Sequence, residues 1–188
     1  MVAGRLEEEF IAKAKAAGGE IERFSGIAEA FAFISCLAKQ LDIKNMAVAP
    51  DVSLPSAEIN SWPLLKPEKT EDYLGAEAGL VQADYGISST GTLVHFDRND
   101  AEKIVWTLPH LCLCLLDERR IVQDLSAVAK VLSRHLSQMT LESPQVSLVT
   151  GPSRTADIEG QLSLGVHGPS RLVILLFEGK ASGSHEKD

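Results

Sequence analysis

The sequence predicts a three-layer α/β/α domain built on a mixed, mostly parallel sheet. Three observations lead there. Helical periodicity opens the chain and returns before its last strands, so helices are available to cover a sheet on both sides. The runs 146–150 and 172–177 are largely apolar, as in strands buried on both faces. Strand-like runs crowd together over 81–117. They lie too close for every connection to be a parallel crossover, which takes roughly a dozen residues, so some pairing is antiparallel.

Taken in order, Leu6, Phe10, Ala14 and Ala17 recur at helical spacing, and Gly18-Gly19 ends that helix. Ser25 is the expected N-cap of a second helix, whose apolar stripe holds Ile27, Ala30, Phe31, Ile34, Leu37, Ala38 and Leu41. Residues 45–49 read as a strand. A long connection punctuated by Pro50, Pro55, Pro63 and Pro67 follows, and 71–79 reads as a short helix. Strands are then expected at 81–87, 91–96, 104–108 and 111–116, with a short one at 121–122. Asp124 opens a third helix with Leu125, Val128, Ala129, Leu132, Leu136 and Met139 on one face. The expected domain covers 1–179, with helices in 1–44 and the sheet core in 45–179. The segment 180–188 carries no large apolar residue to dock and is expected to fray.

Composition narrows the function classes. Hydrophobic residues make up 45% of the 188, as in an ordinary globular chain. A net charge of −8, with no basic cluster beyond Arg119-Arg120, argues against a nucleic-acid binder, which needs a basic stripe to neutralise phosphates. Cys36, Cys112 and Cys114 are too few for a secreted disulfide scaffold and lack the spacing of an iron–sulfur site. Cys112 and Cys114 alternate on a strand and could face one metal together, but core packing explains them better, and no metal site is expected. His110, beside Pro109, reads as local structure. The acidic first residues hold no signal-peptide core, and no apolar run approaches the ~20 residues of a membrane span. A cytoplasmic location is expected.

Two loops concentrate the chemistry. The first, at 86–94, carries Ser88-Ser89-Thr90-Gly91-Thr92 between two strand-like runs. Its small and hydroxylated residues suit either an anion-binding nest, with Ser89, Thr90, Gly91 and Thr92 as donors, or an ordinary hairpin turn. The second runs from Gly151 to Pro169. It begins past the carboxyl end of a strand, where open α/β sheets tend to bind ligands. Ser153 or Thr155 could cap a short helix, and Arg154 offers a planar fork for a carboxylate or phosphate. Asp157 and Glu159 could hold that arginine, orient a base or take a metal. His167, between glycines and near Gly168, is the best acid/base group. A loop merely stiffened by an Arg154 ion pair remains the structural alternative. Neither loop contains a P-loop, a dinucleotide fingerprint or a nucleophile elbow.

At these loops the chain resembles the lactate-utilisation (LUD) domain family, and in particular the lactate utilisation protein C group. The resemblance rests on Ala83-Asp84-Tyr85-Gly86-Ile87 running into Thr90-Gly91-Thr92, on Leu108-Pro109, on the stretch from Gly151 through Arg154, Asp157 and Glu159, and on Gly165-Val166-His167-Gly168-Pro169. It implies the α/β/α fold shared with sugar-phosphate isomerases, CoA transferases and formyltetrahydrofolate cyclo-ligases. It also implies a subunit of a system oxidising L-lactate to pyruvate, with iron–sulfur clusters in partner subunits and no cofactor in this chain. In that reading the first loop and Arg154 bind an organic acid, and His167 takes the hydroxyl proton, with Asp157 and Glu159 beside it. A non-catalytic scaffold for the iron–sulfur subunits and a stand-alone isomerase, transferase or cyclo-ligase are the alternatives. Family members often carry an acidic or bulkier polar residue before Thr-Gly-Thr, where this chain has Ser88-Ser89. They also tend to place a histidine where it has Cys112.

Overall fold

Helix α1 (Val2–Ala16) ends just before Gly18-Gly19, as its periodicity predicts, and strand β1 (Glu20–Phe24) follows at once. The computed structural model describes residues 2–54, 62–65, 70–97, 99–138, 145–156, 162–164 and 168–179. Helix α2 (Ile27–Gln40) leads to β2 (Met46–Val48). After a 3-10 turn at Thr70–Gly75 come β3 (Ala78–Gln82), β4 (Tyr85–Ile87) and β5 (Thr92–Asp97). Helix α3 (Asp100–Thr107), β6 (Leu111–Asp117), β7 (Ile121–Val122) and α4 (Leu125–Gln138) follow. The last strands are β8 (Gln145–Val149), β9 (Arg154–Ala156), β10 (Leu162–Leu164) and β11 (Arg171–Phe177).

The architecture is the predicted α/β/α arrangement, with its strands divided between sheets. A five-stranded sheet in the order β1-β11-β6-β3-β2 is parallel throughout. Its central strands β6 and β11 are buried at every position but one terminal residue each. Their unbroken apolar runs are therefore covered on both faces, and each buried Leu or Ile contributes about 1.5–3 kcal/mol. Helix α2 packs on β1 and β11, and α3 packs on β3 and β6. The antiparallel pairing is confined to a second sheet, β7-β4-β5-β8, and to the β9–β10 hairpin. Period-two alternation splits β5: Val94 and Phe96 join Ile87 and Val128 in a small core, while Leu93 joins the main one.

Several elements differ from expectation. Strand β8, expected to be buried on both faces, is part-buried to exposed, with Leu148 51% exposed, because it is the edge of the second sheet. The run 104–108 is helical rather than extended, because Asn99 starts a helix ahead of it. The Asn99 side chain accepts from Glu102 N at 3.0 Å, and its amide donates back to Glu102 Oε1 at 3.0 Å. That reciprocal cap outweighs the β-like composition of Ile104-Val105-Trp106. The run 81–87 is two strands in two sheets, parted at Ala83-Asp84. The 71–79 helix is only the 3-10 turn, with Ala78 and Gly79 already in β3. Strand β1 went unpredicted because its charged edge hides a pairing that only β11 supplies. Gly26, not Ser25, occupies the N-cap of α2; Ser25 instead donates its backbone N–H to Glu29 at 3.0 Å. Asp124 caps α4 as predicted, accepting from Ala127 N at 3.0 Å. Among the described residues no helix is long and apolar enough to cross a membrane. Met139 and the segment 180–188 lie outside the described residues.

Candidate functional site

Parallel α/β sheets offer ligands the crevice beyond the carboxyl ends of their strands. Here three strands end together. Strand β2 runs into Ala49-Pro50-Asp51, β3 into Ala83-Asp84, and β6 into the turn that carries Arg120. Their ends are tied by backbone bonds from Ala49 N to Leu80 O and from Ala83 N to Leu115 O, both 2.9 Å. Between them lies a cleft of about 320 Å³ lined by Asp51, Gln82, Ala83, Asp84 and Arg120. That is the lower end of the size range of small-molecule sites. Arg120 lies over the Tyr85 ring, 5.5 Å from its centroid, with Nη1 3.5 Å from the phenol oxygen. Asp84 is fixed from behind, its Oδ2 accepting from Phe96 N at 2.8 Å.

Behind Asp84 is a buried histidine. His95 Nδ1 lies 3.1 Å from Gln82 O and 3.4 Å from Asp84 Oδ2. Its Nε2 lies 3.1 Å from Glu102 Oε2 and 3.8 Å from Asp97 Oδ1. His95 is fully buried, and Asp97 and Glu102 nearly so. Burial by itself pushes His95 toward neutrality. The Asp84 hydrogen bond and the negative charges of Asp84, Asp51 and Asp97 outweigh it, raising the pKa above the ordinary 6.5. Asp97 Oδ2 accepts from Ser147 Oγ at 2.7 Å, and the Trp106 ring stacks obliquely on His95 at 5.5 Å.

The two loops singled out in the sequence meet, but away from this cleft. Thr90 Oγ1, Thr92 Oγ1 and Thr150 Oγ1 form a chain with both separations 2.7 Å. The first loop is the β4–β5 hairpin turn. Its amides are already used: Ser88 N donates to Val122 O, Ser89 N to Gln123 O, and Thr90 N and Gly91 N to Ile87 O. An anion nest needs such donors open, so this geometry is that of the turn. Gly91 (φ 69°) and Gly151 (φ 75°) are left-handed, and each presses on the end of α1. A Cβ on Gly91 would collide with the Ala14 backbone nitrogen, and one on Gly151 with the Ala17 carbonyl.

The second loop's place also differs from expectation. It follows β8 of the second sheet and returns to the start of β11, where Arg171 N donates to His110 O at 3.0 Å. That is the amino edge of the parallel sheet, so the crevice rule does not apply to it. Ser153 N donates to Pro169 O at 2.9 Å, which brings Ser153 and Gly168 together. Arg154 and Thr155 form part of β9, whereas Asp157, Glu159 and His167 lie outside the described residues. Cys112 and Cys114 are buried core residues; desolvation pushes the Cys112 thiol up to about 12. His110 is exposed.

His95 belongs to no motif in the sequence. The available signal was a histidine and an aspartate two positions apart on one face of an otherwise apolar strand, Thr92-Leu93-Val94-His95-Phe96-Asp97. Such residues are buried only with partners.

The model of the LUD domain matches residues 7–177. Lactate utilization protein C of Geobacillus kaustophilus is 29% identical over 101 residues, covering 54% of this chain and 42% of that protein. An uncharacterised protein of Neisseria meningitidis serogroup B is 33% identical over 118 residues, covering 63% of this chain and 47% of its own length. The chain thus spans less than half the length of these two curated relatives. A crystal structure of a DUF162 family protein from Deinococcus radiodurans superposes with a TM-score of 0.68 at 19% identity, over 94% of this chain and 99% of that one. That likeness is one of fold.

Proposed function

This chain belongs to the LUD domain family, and from that premise we propose that it serves lactate utilisation by binding a small organic acid in the cleft at the carboxyl edge of its parallel sheet. The observation that carries this reading is that Arg120 and Asp84 both line this one cleft. The guanidinium of Arg120 offers a planar fork to a carboxylate. Asp84, held by Phe96 N, offers an acceptor to a hydroxyl on the neighbouring carbon and can take its proton. The names of several relatives supply the metabolic setting.

Oxidation of L-lactate to pyruvate releases two electrons and two protons. In this reading the chain binds and orients the acid and accepts the hydroxyl proton; iron–sulfur clusters of partner subunits would take up the two electrons, and the second proton, from the Cα–H bond, would pass to solvent. The chain's own cysteines suit no such cluster: Cys112 and Cys114 are buried in the sheet core, and Cys36 stands apart and exposed on α2.

Calorimetric titration of the purified chain with L-lactate and pyruvate tests the proposal. Saturable binding that Arg120→Ala weakens at least tenfold, with the melting temperature kept, supports it. Binding untouched by Arg120→Ala but lost with His167→Ala would move the site to the second loop. Absence of binding, with stable association to iron–sulfur partners, would leave the domain a scaffold.

A further inference from the structure

We propose, resting on the reading of the cleft just given, that His95 is a positioning residue: as a buried imidazolium it fixes Asp84 at the cleft floor and offsets negative charge that would otherwise repel an organic anion. Three elements besides its own strand surround the ring. Asp84 and the Gln82 carbonyl come from the end of β3, Asp51 from the end of β2, and Glu102 and Trp106 from α3; Asp97 lies on β5 itself.

Both ring nitrogens face oxygens. The Gln82 carbonyl opposite Nδ1 can only accept, and an ionised Glu102 opposite Nε2 can only accept. A neutral imidazole has a single N–H and would turn a lone pair toward one of them. The doubly protonated ring satisfies both.

The charge count gives that proton a task. A carboxylate entering this cleft meets Asp51 and Asp84 in its lining, with Arg120 the only cation among the described lining residues. A positive ring directly behind Asp84 lowers the repulsion the ligand meets, and water screens it little because the ring is buried. Loss of the proton would remove the ring's hold on Asp84 and raise the repulsion that the ligand meets at the cleft floor.

The test uses the full chain, wild type and His95→Gln, with L-lactate as probe. Calorimetric affinities are measured from pH 6 to 9, and ¹⁵N chemical shifts of the histidine ring are followed over the same range. The expected result is a wild-type affinity about tenfold above that of His95→Gln at the acid end. It should fall toward the variant's value as pH rises, with a midpoint matching the titration of the His95 ring. Should His95→Gln fail to fold, the agreement of the two wild-type midpoints decides. A neutral His95 ring at the acid end, or equal affinity and equal pH profiles in both proteins, overturns the proposal while leaving the organic-acid site standing. No binding by wild type at any pH removes the organic-acid reading and this proposal with it.

Discussion

Thr92 and Thr150, 58 positions apart in sequence, share a hydroxyl–hydroxyl contact of 2.7 Å. This contact closes the first loop onto the start of the second where β5 and β8 pair. If it is structural, Thr150→Val should cost about 1 kcal/mol, the usual net value of one hydrogen bond. Denaturant titration checks the loss. Affinity for organic acids should stay unchanged, since the cleft lies at the edge of the other, parallel sheet.

Gly151 offers a harsher perturbation. Alanine there must adopt a left-handed backbone and push its methyl into the Ala17 carbonyl. We expect Gly151→Ala to destabilise the fold by about 2–4 kcal/mol, strain and overpacking together. Gly91→Ala should do the same against Ala14. Melting curves that match wild type would show that α1 can move away from both loops.

Stability should depend on pH through His95. Its pKa is raised in the folded protein above the ordinary 6.5. The stability it supplies is therefore complete below about pH 6.5 and is lost as pH rises through the folded value. Melting temperatures measured from pH 6 to 9 should fall more in wild type than in His95→Gln. A parallel course in the two would place the dependence on another group.

The thiols should separate cleanly. Cys36 is exposed, whereas Cys112 is buried with its pKa pushed up from 9.0 to about 12, leaving roughly a thousandfold less thiolate than an ordinary cysteine. Alkylation of the native protein, read by mass spectrometry, should add one label, and three after denaturation. Rapid native labelling of Cys112 or Cys114 would mean that the sheet core opens.

Local chemistry made much of the fold legible. The apolar runs of β6 and β11 announce burial on both faces, and the stripes of α1 and α2 announce their docking sides. The Gly-Pro-Ser and Thr-Gly-Thr loops carried the family resemblance. Other features depended on partners distant in sequence. Strand β1 exists through its ladder to β11, more than a hundred residues on, and the run 104–108 yielded to a cap at Asn99.

The cleft is the clearest case. In sequence Asp51 has no motif around it, Asp84 enters only within the Ala83–Ile87 run, Arg120 only as half of the Arg119-Arg120 pair, and His95 is one polar residue inside a strand. Their convergence depends on three parallel strands ending at one edge and on α3 bringing Glu102 to the ring from behind. The sequence by itself determined the α/β/α class, the buried central strands and the glycines of both loops, because propensity, periodicity and turn chemistry act over a few residues. Only the tertiary structure decided which strand ends meet, where the acidic cluster and its histidine lie, and that the two loops join through Thr92 and Thr150. Those placements follow from the order of strands in the sheets, which no short-range pattern encodes.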